Sequence, residues 1–182
     1  SPYLQFAMHL LDKIFKKRQW VLLYNFRKDF NILQKMDFCE IFPPVSGFWA
    51  DPFPFFYKGE YYIFFEELEY KIQKGFLSVL KIQRDGSTSK ISQVLELDSH
   101  LSFPFIFEHN GSVYLMPESQ KSGKLQLYEA DIFPEKWTHK ANLLEEFKGV
   151  DTVLKKIGDV WWLFTTLKDN NDVSAHEELH IY

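Results

Sequence analysis

Five polar residues of this sequence have the types and the repeated placement that acid–base chemistry on sugars requires: Asp51, Glu66, Ser102, Glu118 and Asp151. They fall in three similar stretches, which read ADPFPFFYKGEYYIFFEE from position 50, SFPFIFEHNGSVYLMPES from 102 and GVDTVLKKIGDVWWLFTT from 149. Two carboxyl groups can cleave a glycosidic bond when one protonates the leaving oxygen and the other activates water. Asp51, Glu118 and Asp151 are therefore the candidate catalytic residues. The same acids could instead hydrogen-bond turn backbone and neighbouring strands.

Aromatic residues near these acids indicate how a sugar would be held. A sugar stacks its apolar C–H face on an aromatic ring and bonds its hydroxyls to polar groups. Trp49 and Trp161 are the candidate stacking residues, and Glu66 and Ser102 are candidate hydroxyl partners. Because side chains alternate along a strand, only one of Trp161 and Trp162 can face a given side of its sheet.

The elements that must position these residues are repeated hairpins. Each of the three stretches reads as a strand, a turn at Gly59, Gly111 or Gly158, and a second strand. Third strands follow as FLSVL, LQLYEA and LHIY, and fourth strands follow in two units as QVLEL and NLLEEF. Four antiparallel strands that recur about every 50 residues are typical of β-propeller blades. A sandwich is the alternative, but it does not require one hairpin sequence to return three times.

Propeller geometry would gather the acids at one place. Counting from the turns pairs Asp51 with Glu66, places Phe103 opposite Glu118 and brings Asp151 near Thr165. The inner strands of a propeller converge on a central axis, so equivalent positions of successive blades face one shared pocket. The fold class predicted is all-β, a five-bladed propeller type with about three blades' worth of strands, preceded by one short N-terminal α-helix.

The predicted organisation has two parts. Apolar residues at helical spacing predict an amphipathic helix over 3–17, which either packs on its own domain or binds a membrane surface or partner. The boundaries are a helical segment 1–19 and a propeller domain 20–182, with a half blade 20–45, blades 48–98 and 101–147, and a partial blade 149–182. Because closed propellers have about four to eight blades, we expect either further sequence after Tyr182 or a dimer through the open blade faces.

Composition excludes several kinds of partner. The net charge is −4 and the sequence has no long run of charges of one sign, which argues against nucleic acid as a partner. Neither a transmembrane segment nor a signal peptide fits the sequence. The segment HEELH from 176 matches a zinc-protease pattern by letter, but that motif needs a helix, whereas this segment aligns with a strand. We therefore expect no metal and no cofactor.

The string FWADPFPFFYKGEYYIFFEE is followed in order by SFPFIFEHNGSVYLMPES, LYEADIFPEKW and VDTVLKKIGDVWWLFTT. This series resembles the N-terminal propeller domain of glucosamine inositolphosphorylceramide transferases, and that of bacterial proteins carrying a formyltransferase-like domain. That domain is in turn similar to the five-bladed propellers of arabinanase, xylosidase and invertase type glycosidases. The resemblance implies a carbohydrate-related pocket and a covalently linked transferase domain.

The glycosidases of this resemblance carry a base Asp, a tuning Asp and an acid Glu on separate blades. Asp51, in ADPF, matches the base. Phe103 stands where the tuning Asp would be, and Asp151 stands where a Glu acid is usual. The resemblance therefore supports a carbohydrate-related pocket better than it supports hydrolysis.

Three functions remain open from the sequence. The first is a non-hydrolytic domain that recognises a glycan and is associated with a sugar-modifying transferase. The second is an inverting glycoside hydrolase with Asp51 as general base and Glu118 or Glu66 as acid. The third is a protein-interaction scaffold, which predicts a large exposed apolar patch and no acidic pocket.

Overall fold

The structure is a computed structural model that describes residues 19–26, 38–167 and 178–182. Thirteen strands follow in chain order: β1 Leu22–Tyr24, β2 Cys39–Ile41, β3 Gly47–Tyr57, β4 Glu60–Glu69, β5 Lys74–Ile82, β6 Ser92–Leu95, β7 Ser102–His109, β8 Ser112–Glu118, β9 Lys124–Ile132, β10 Lys136–Glu145, β11 Val150–Ile157, β12 Val160–Leu167 and β13 Glu178–Ile181. A 3₁₀ turn, Gln120–Ser122, joins β8 to β9. The described part of the chain contains no α-helix, and the helix predicted over 3–17 lies outside the described residues.

The strands form four antiparallel sheets in chain order. The first sheet pairs β1 with β2, the second has the order β3-β4-β5-β6, the third β7-β8-β9-β10 and the fourth β11-β12-β13. In every sheet each strand pairs with its neighbour in the chain, which is the meander expected of a propeller blade. The predicted fourth strands are present, as β6 and within the longer β10.

Tight turns set the register of the two central hairpins. Both residues of the β3–β4 turn have positive φ, 48° at Lys58 and 85° at Gly59, and the β7–β8 turn repeats this with 50° at Asn110 and 79° at Gly111. Type I′ turns require positive φ at both central positions, and their twist matches that of the strands they join. The glycines at these turns are therefore required by the backbone conformation.

Apolar faces of successive sheets pack against each other. One cluster, which includes Leu22, Trp49 and Phe65, fills the space beside the second sheet. A second cluster, which includes Phe64 and Leu115, joins the second sheet to the third. A third cluster, which includes Met116 and Leu163, joins the third sheet to the fourth. The first strands of adjacent sheets, β3, β7 and β11, also contact one another. This arrangement brings equivalent ends of the three first hairpins close together.

The described residues include no helix that is long and apolar enough to span a membrane. The domain boundaries predicted from the sequence are not tested by the sheet arrangement and stay a prediction.

Candidate functional site

A β-bulge interrupts the first hairpin of each of the three larger sheets at the same place. The bulges follow three ladder pairs, Ala50 with Glu66, Ser102 with Glu118 and Val150 with Thr166. The residue after each pair has positive φ: 49° at Asp51, 42° at Phe103 and 52° at Asp151. Aspartate tolerates this left-handed conformation much better than phenylalanine. The bulges turn these three positions out of the regular strand alternation.

Two hydrogen bonds connect the bulges of neighbouring sheets. The backbone N–H of Phe103 donates to Asp51 Oδ2 at 3.2 Å, and the backbone N–H of Asp151 donates to Glu118 Oε2 at 2.9 Å. A carboxylate that accepts a backbone N–H forms a charge-assisted bond, which fixes its orientation. Acidic side chains of the second and third sheets are thereby held against the next sheet.

Glu66 is the buried member of this acidic group, with 6% of its surface exposed. Asp51 directly follows Ala50, the ladder partner of Glu66, so the two acidic side chains are neighbours. Burial raises the pKa of Glu66 from 4.5 to about 7, and the charges of Asp51 and Glu118 act in the same direction. A carboxyl group with such a pKa can hold or release a proton near neutral pH.

Glu118 lies in a similar but more polar setting. Burial raises its pKa, and the charges of Asp151 and Asp51 add to this effect. The N–H of Asp151, which donates to Glu118, and the polar side chain of its ladder partner Ser102 act in the opposite direction, because both favour the carboxylate. A cavity of about 10 Å³, the size of one water molecule, lies beside Glu118 between the third and fourth sheets.

The structure therefore brings the predicted acids and Ser102 together. Asp51 and Glu66 are neighbours as predicted, although the bulge makes Ala50 the ladder partner of Glu66. Ser102, rather than Phe103, pairs with Glu118. Phe103 packs instead on the apolar cluster between the third and fourth sheets.

The two predicted stacking residues lie elsewhere. Trp49 is 4% exposed and packs its ring 5.0 Å from that of Phe65, so it is a core residue in this structure. Trp161 contacts Phe107 and His109 near the turn end of its hairpin. Since its ladder partner is Lys156 and the bulge lies opposite Thr165, Trp161 lies about four residues, or about 13 Å, from the bulge of the same hairpin.

His100 is a member of the site that sequence reasoning missed. It lies in the connection between β6 and β7, where its Nε2 is 3.1 Å from Glu66 Oε1 and its Nδ1 accepts the N–H of Gly75 at 3.0 Å. Spacing alone gave no signal for it, because its partners are 25 or more residues away in sequence. The sequence feature that could have indicated His100 is its position directly before the first strand of the next repeat unit.

Within the part of the chain that the structure describes, His, Cys, Asp and Glu side chains form no group of three that could hold a metal ion. Of the HEELH segment, the first two residues lie outside the described residues. Its last three residues, from Glu178 onward, are in strand β13. The strand predicted there is confirmed.

The curated relatives of this chain are plant proteins. Glucosamine inositolphosphorylceramide transferase 1 of Oryza sativa subsp. japonica is 31% identical over 138 residues, 75% of this chain and 18% of that protein. The Arabidopsis thaliana protein of the same name is 35% identical over 119 residues, 65% of this chain and 15% of that protein. The chain thus spans less than a fifth of the length of these relatives.

A solved structure is similar in fold. The crystal structure of α-L-arabinofuranosidase from Lactobacillus brevis superposes with a TM-score of 0.64 at 12% identity, covering 80% of this chain and 56% of that one. This similarity and the meander sheets confirm the predicted all-β fold of the propeller glycosidase type. Residues 38–182 also match the family described as glucosamine inositolphosphorylceramide transferase 1, N-terminal. The chain belongs to that family.

Proposed function

We propose that this chain is a carbohydrate-recognising domain that works beside a sugar transferase, and that its pocket is the rim formed by Asp51, Glu66, Ser102, Glu118 and Asp151. The observation that carries this proposal is the pair of hydrogen bonds in which Asp51 and Glu118 accept a backbone N–H from the next sheet. They preorganise polar groups from three sheets at one rim. A sugar-binding pocket needs preorganised polar groups, because the entropic cost of immobilising these groups has already been offset by folding and does not reduce the affinity for the sugar.

The chemistry of the rim suits neutral hydroxyl ligands. Asp51 and Asp151 are exposed, while Glu66 is buried and Glu118 partly buried. A carboxylate offers about four lone-pair sites, so one backbone N–H leaves acceptor capacity for a ligand. The raised pKa of Glu66 supplies a carboxyl group that can also donate. Donors and acceptors side by side match the hydroxyls of a sugar.

A covalently linked transferase domain is the partner that we propose. The plant relatives are glucosamine inositolphosphorylceramide transferases by name, and the chain spans less than a fifth of their length. A domain of this kind would hold the acceptor or donor sugar near a separate transfer site. Inositolphosphorylceramide or glucosamine is the ligand that the relatives' name suggests.

The test is a glycan array followed by titration calorimetry with the purified chain and its Asp51→Asn variant. Asparagine keeps an acceptor for the Phe103 N–H but removes the charge. A hydrogen bond to a charged group contributes about 1.5–3 kcal/mol, so we expect Asp51→Asn to weaken sugar binding by about tenfold or more. Glu108→Gln, at an exposed acid on β7, is the matched control and should bind like the wild type. Absence of glycan binding by the wild type would refute the proposal.

A hydrolase is the second candidate, favoured by the raised pKa of Glu118. Glu66 is buried and its carboxyl group already contacts His100, so it is poorly placed to protonate a leaving group at the rim. Glu118 is therefore the acid that this candidate requires, with Asp51 as base. It predicts release of nitrophenol from a nitrophenyl arabinofuranoside, with the release abolished in both Asp51→Asn and Glu118→Gln.

A further inference from the structure

His100 is held in one orientation behind the acidic rim. Its Nδ1 accepts the backbone N–H of Gly75 at 3.0 Å, and the N–H of the next residue, Leu101, donates to the Gly75 carbonyl at 2.9 Å. These two bonds attach the β6–β7 connection to the start of β5. Because Nδ1 is an acceptor, the proton of the neutral imidazole must be on Nε2.

The protonated Nε2 faces Glu66. Its distance to Glu66 Oε1 is 3.1 Å, and the Glu66 side chain is 8% exposed. Gly75 makes this approach possible, since a Cβ there would lie 2.8 Å from His100 Cε1 and 2.9 Å from Glu66 Oε1. A Cβ would also lie 2.6 Å from the backbone oxygen of Leu101. The space between the glycine, the imidazole and the carboxyl group admits no side chain.

Asp51 is a neighbour of Glu66 at the bulge, because it directly follows Ala50, the ladder partner of Glu66. The charges of Asp51 and Glu118 act to raise the pKa of Glu66. Burial and the charge of Lys121 lower the pKa of His100, whereas the charge of Asp51 raises it.

We infer that His100 is a positioning residue whose Nε2 holds the buried carboxyl group of Glu66 in place beside Asp51 at the rim of the pocket. A ligand hydroxyl can then bond to two carboxyl groups whose orientations are fixed, that of Asp51 by the Phe103 N–H and that of Glu66 by His100. This inference deepens the proposed function, and the role of His100 in sugar binding rests on that function. The raised pKa of Glu66 is consistent with it.

Carboxyl ¹³C NMR of the wild-type chain and three variants tests the inference. His100→Gln places an amide N–H near the position of Nε2, whereas His100→Asn keeps an acceptor for Gly75 and loses the group facing Glu66. We expect the Glu66 titration midpoint near pH 7 in the wild type and within a few tenths of that value in His100→Gln. His100→Asn should raise the midpoint by about half a unit or more, because a donor to the carboxylate is lost. Asp51→Asn should lower it by about one unit or more, because the neighbouring carboxylate is removed.

Two results would overturn the inference. Equal midpoints in His100→Asn and His100→Gln would show that His100 does not act on Glu66. A wild-type midpoint near the ordinary value of 4.5 would show that Glu66 does not have the buried setting beside Asp51 from which the inference is argued. Neither result depends on a sugar, so failure of this inference is distinguishable from a glycan array without binding. Thermal unfolding of each variant verifies that the titrations report on folded protein.

Discussion

The residue type at each bulge determines which side chain connects neighbouring sheets. In the second sheet the bulge residue Asp51 itself accepts the N–H of the next bulge. In the third sheet the bulge residue is Phe103, whose side chain has no hydrogen-bond acceptor. Glu118 from the paired strand accepts the N–H of Asp151 instead. The inter-sheet bond is thus kept although its acceptor comes from another strand. A carboxylate at position 118 therefore compensates for the phenylalanine at position 103.

The buried carboxyl of Glu66 should make stability depend on pH. Its pKa is raised in the folded state from 4.5 to about 7, so the folded protein binds more protons than the unfolded chain between these values. The contribution to stability is fully present below about pH 4.5 and is lost as pH rises to about 7. We expect this loss to be about 3 kcal/mol, since one pKa unit corresponds to about 1.4 kcal/mol.

Urea unfolding at several pH values measures this effect. In Glu66→Gln the contribution should be absent, so the variant gains stability relative to the wild type as pH rises from about 5 to 8. Glu108→Gln, at an exposed acid, should keep the wild-type pH dependence. A constant difference between Glu66→Gln and the wild type across this range would contradict the raised pKa.

The rim acids could be predicted from the sequence because they recur at fixed distances from turn glycines. The bulges could not, because the extra residue changes the register without any change in hydrophobic pattern. This is why Ser102, and not Phe103, is the ladder partner of Glu118. The contacts of His100 could not be predicted either, since they depend on how the β6–β7 connection folds back onto β4 and β5 of the second sheet.

At the scale of elements, the β9–β10 turn connects the third sheet to the second. Phe133, in this turn, has its ring 4.7 Å from Tyr57, 4.9 Å from Tyr62 and 6.0 Å from Phe64, all of which belong to the second sheet. Trp137 covers the other side of Phe133, with its indole N–H bonded to the carbonyl of Pro134 at 2.7 Å. The turn therefore works as an aromatic clamp between the two sheets.

Removal of the clamp should weaken the packing of the two sheets. Phe133 is partly buried, so we expect Phe133→Ala to lower the free energy of unfolding by about 2–3 kcal/mol, near the low end for core phenylalanines. Ile132→Ala is the matched control, because the neighbouring Ile132 is 56% exposed and should change stability by less than about 0.5 kcal/mol. Denaturant unfolding of both variants makes the comparison. Similar losses in the two variants would show that the turn does not join the sheets.

Hairpins and their repeat could be predicted because turn glycines and alternating strands are local features. The positions of Trp49 and Trp161 could not. Alternation indicates that a side chain faces one side of a sheet, but not whether that side meets another sheet or a pocket. Trp49 meets the cluster around Leu22 and Phe65, and Trp161 meets Phe107 of the third sheet.

At the scale of the whole molecule, the fourth sheet has two different faces. One face, which includes Leu163, packs on the third sheet. The ladder pairs of Ile157 with Val160 and of Phe164 with Ile181 place apolar side chains on the opposite face. Its exposed large apolar residues are Ile157, Val160, Trp162, Leu179 and Ile181. A patch of this kind marks an interaction surface more often than a free surface.

We predict that this face mediates association of the chain with a second copy. The double variant Ile157→Lys and Ile181→Lys should stay monomeric at concentrations where the wild type associates, because charges facing each other across an apolar interface oppose its formation. Val45→Lys is the control, since Val45 is 88% exposed and lies outside the fourth sheet. Sedimentation velocity over a range of concentrations measures the association. A wild type that is monomeric at every concentration, or a double variant that associates like the wild type, would contradict this prediction.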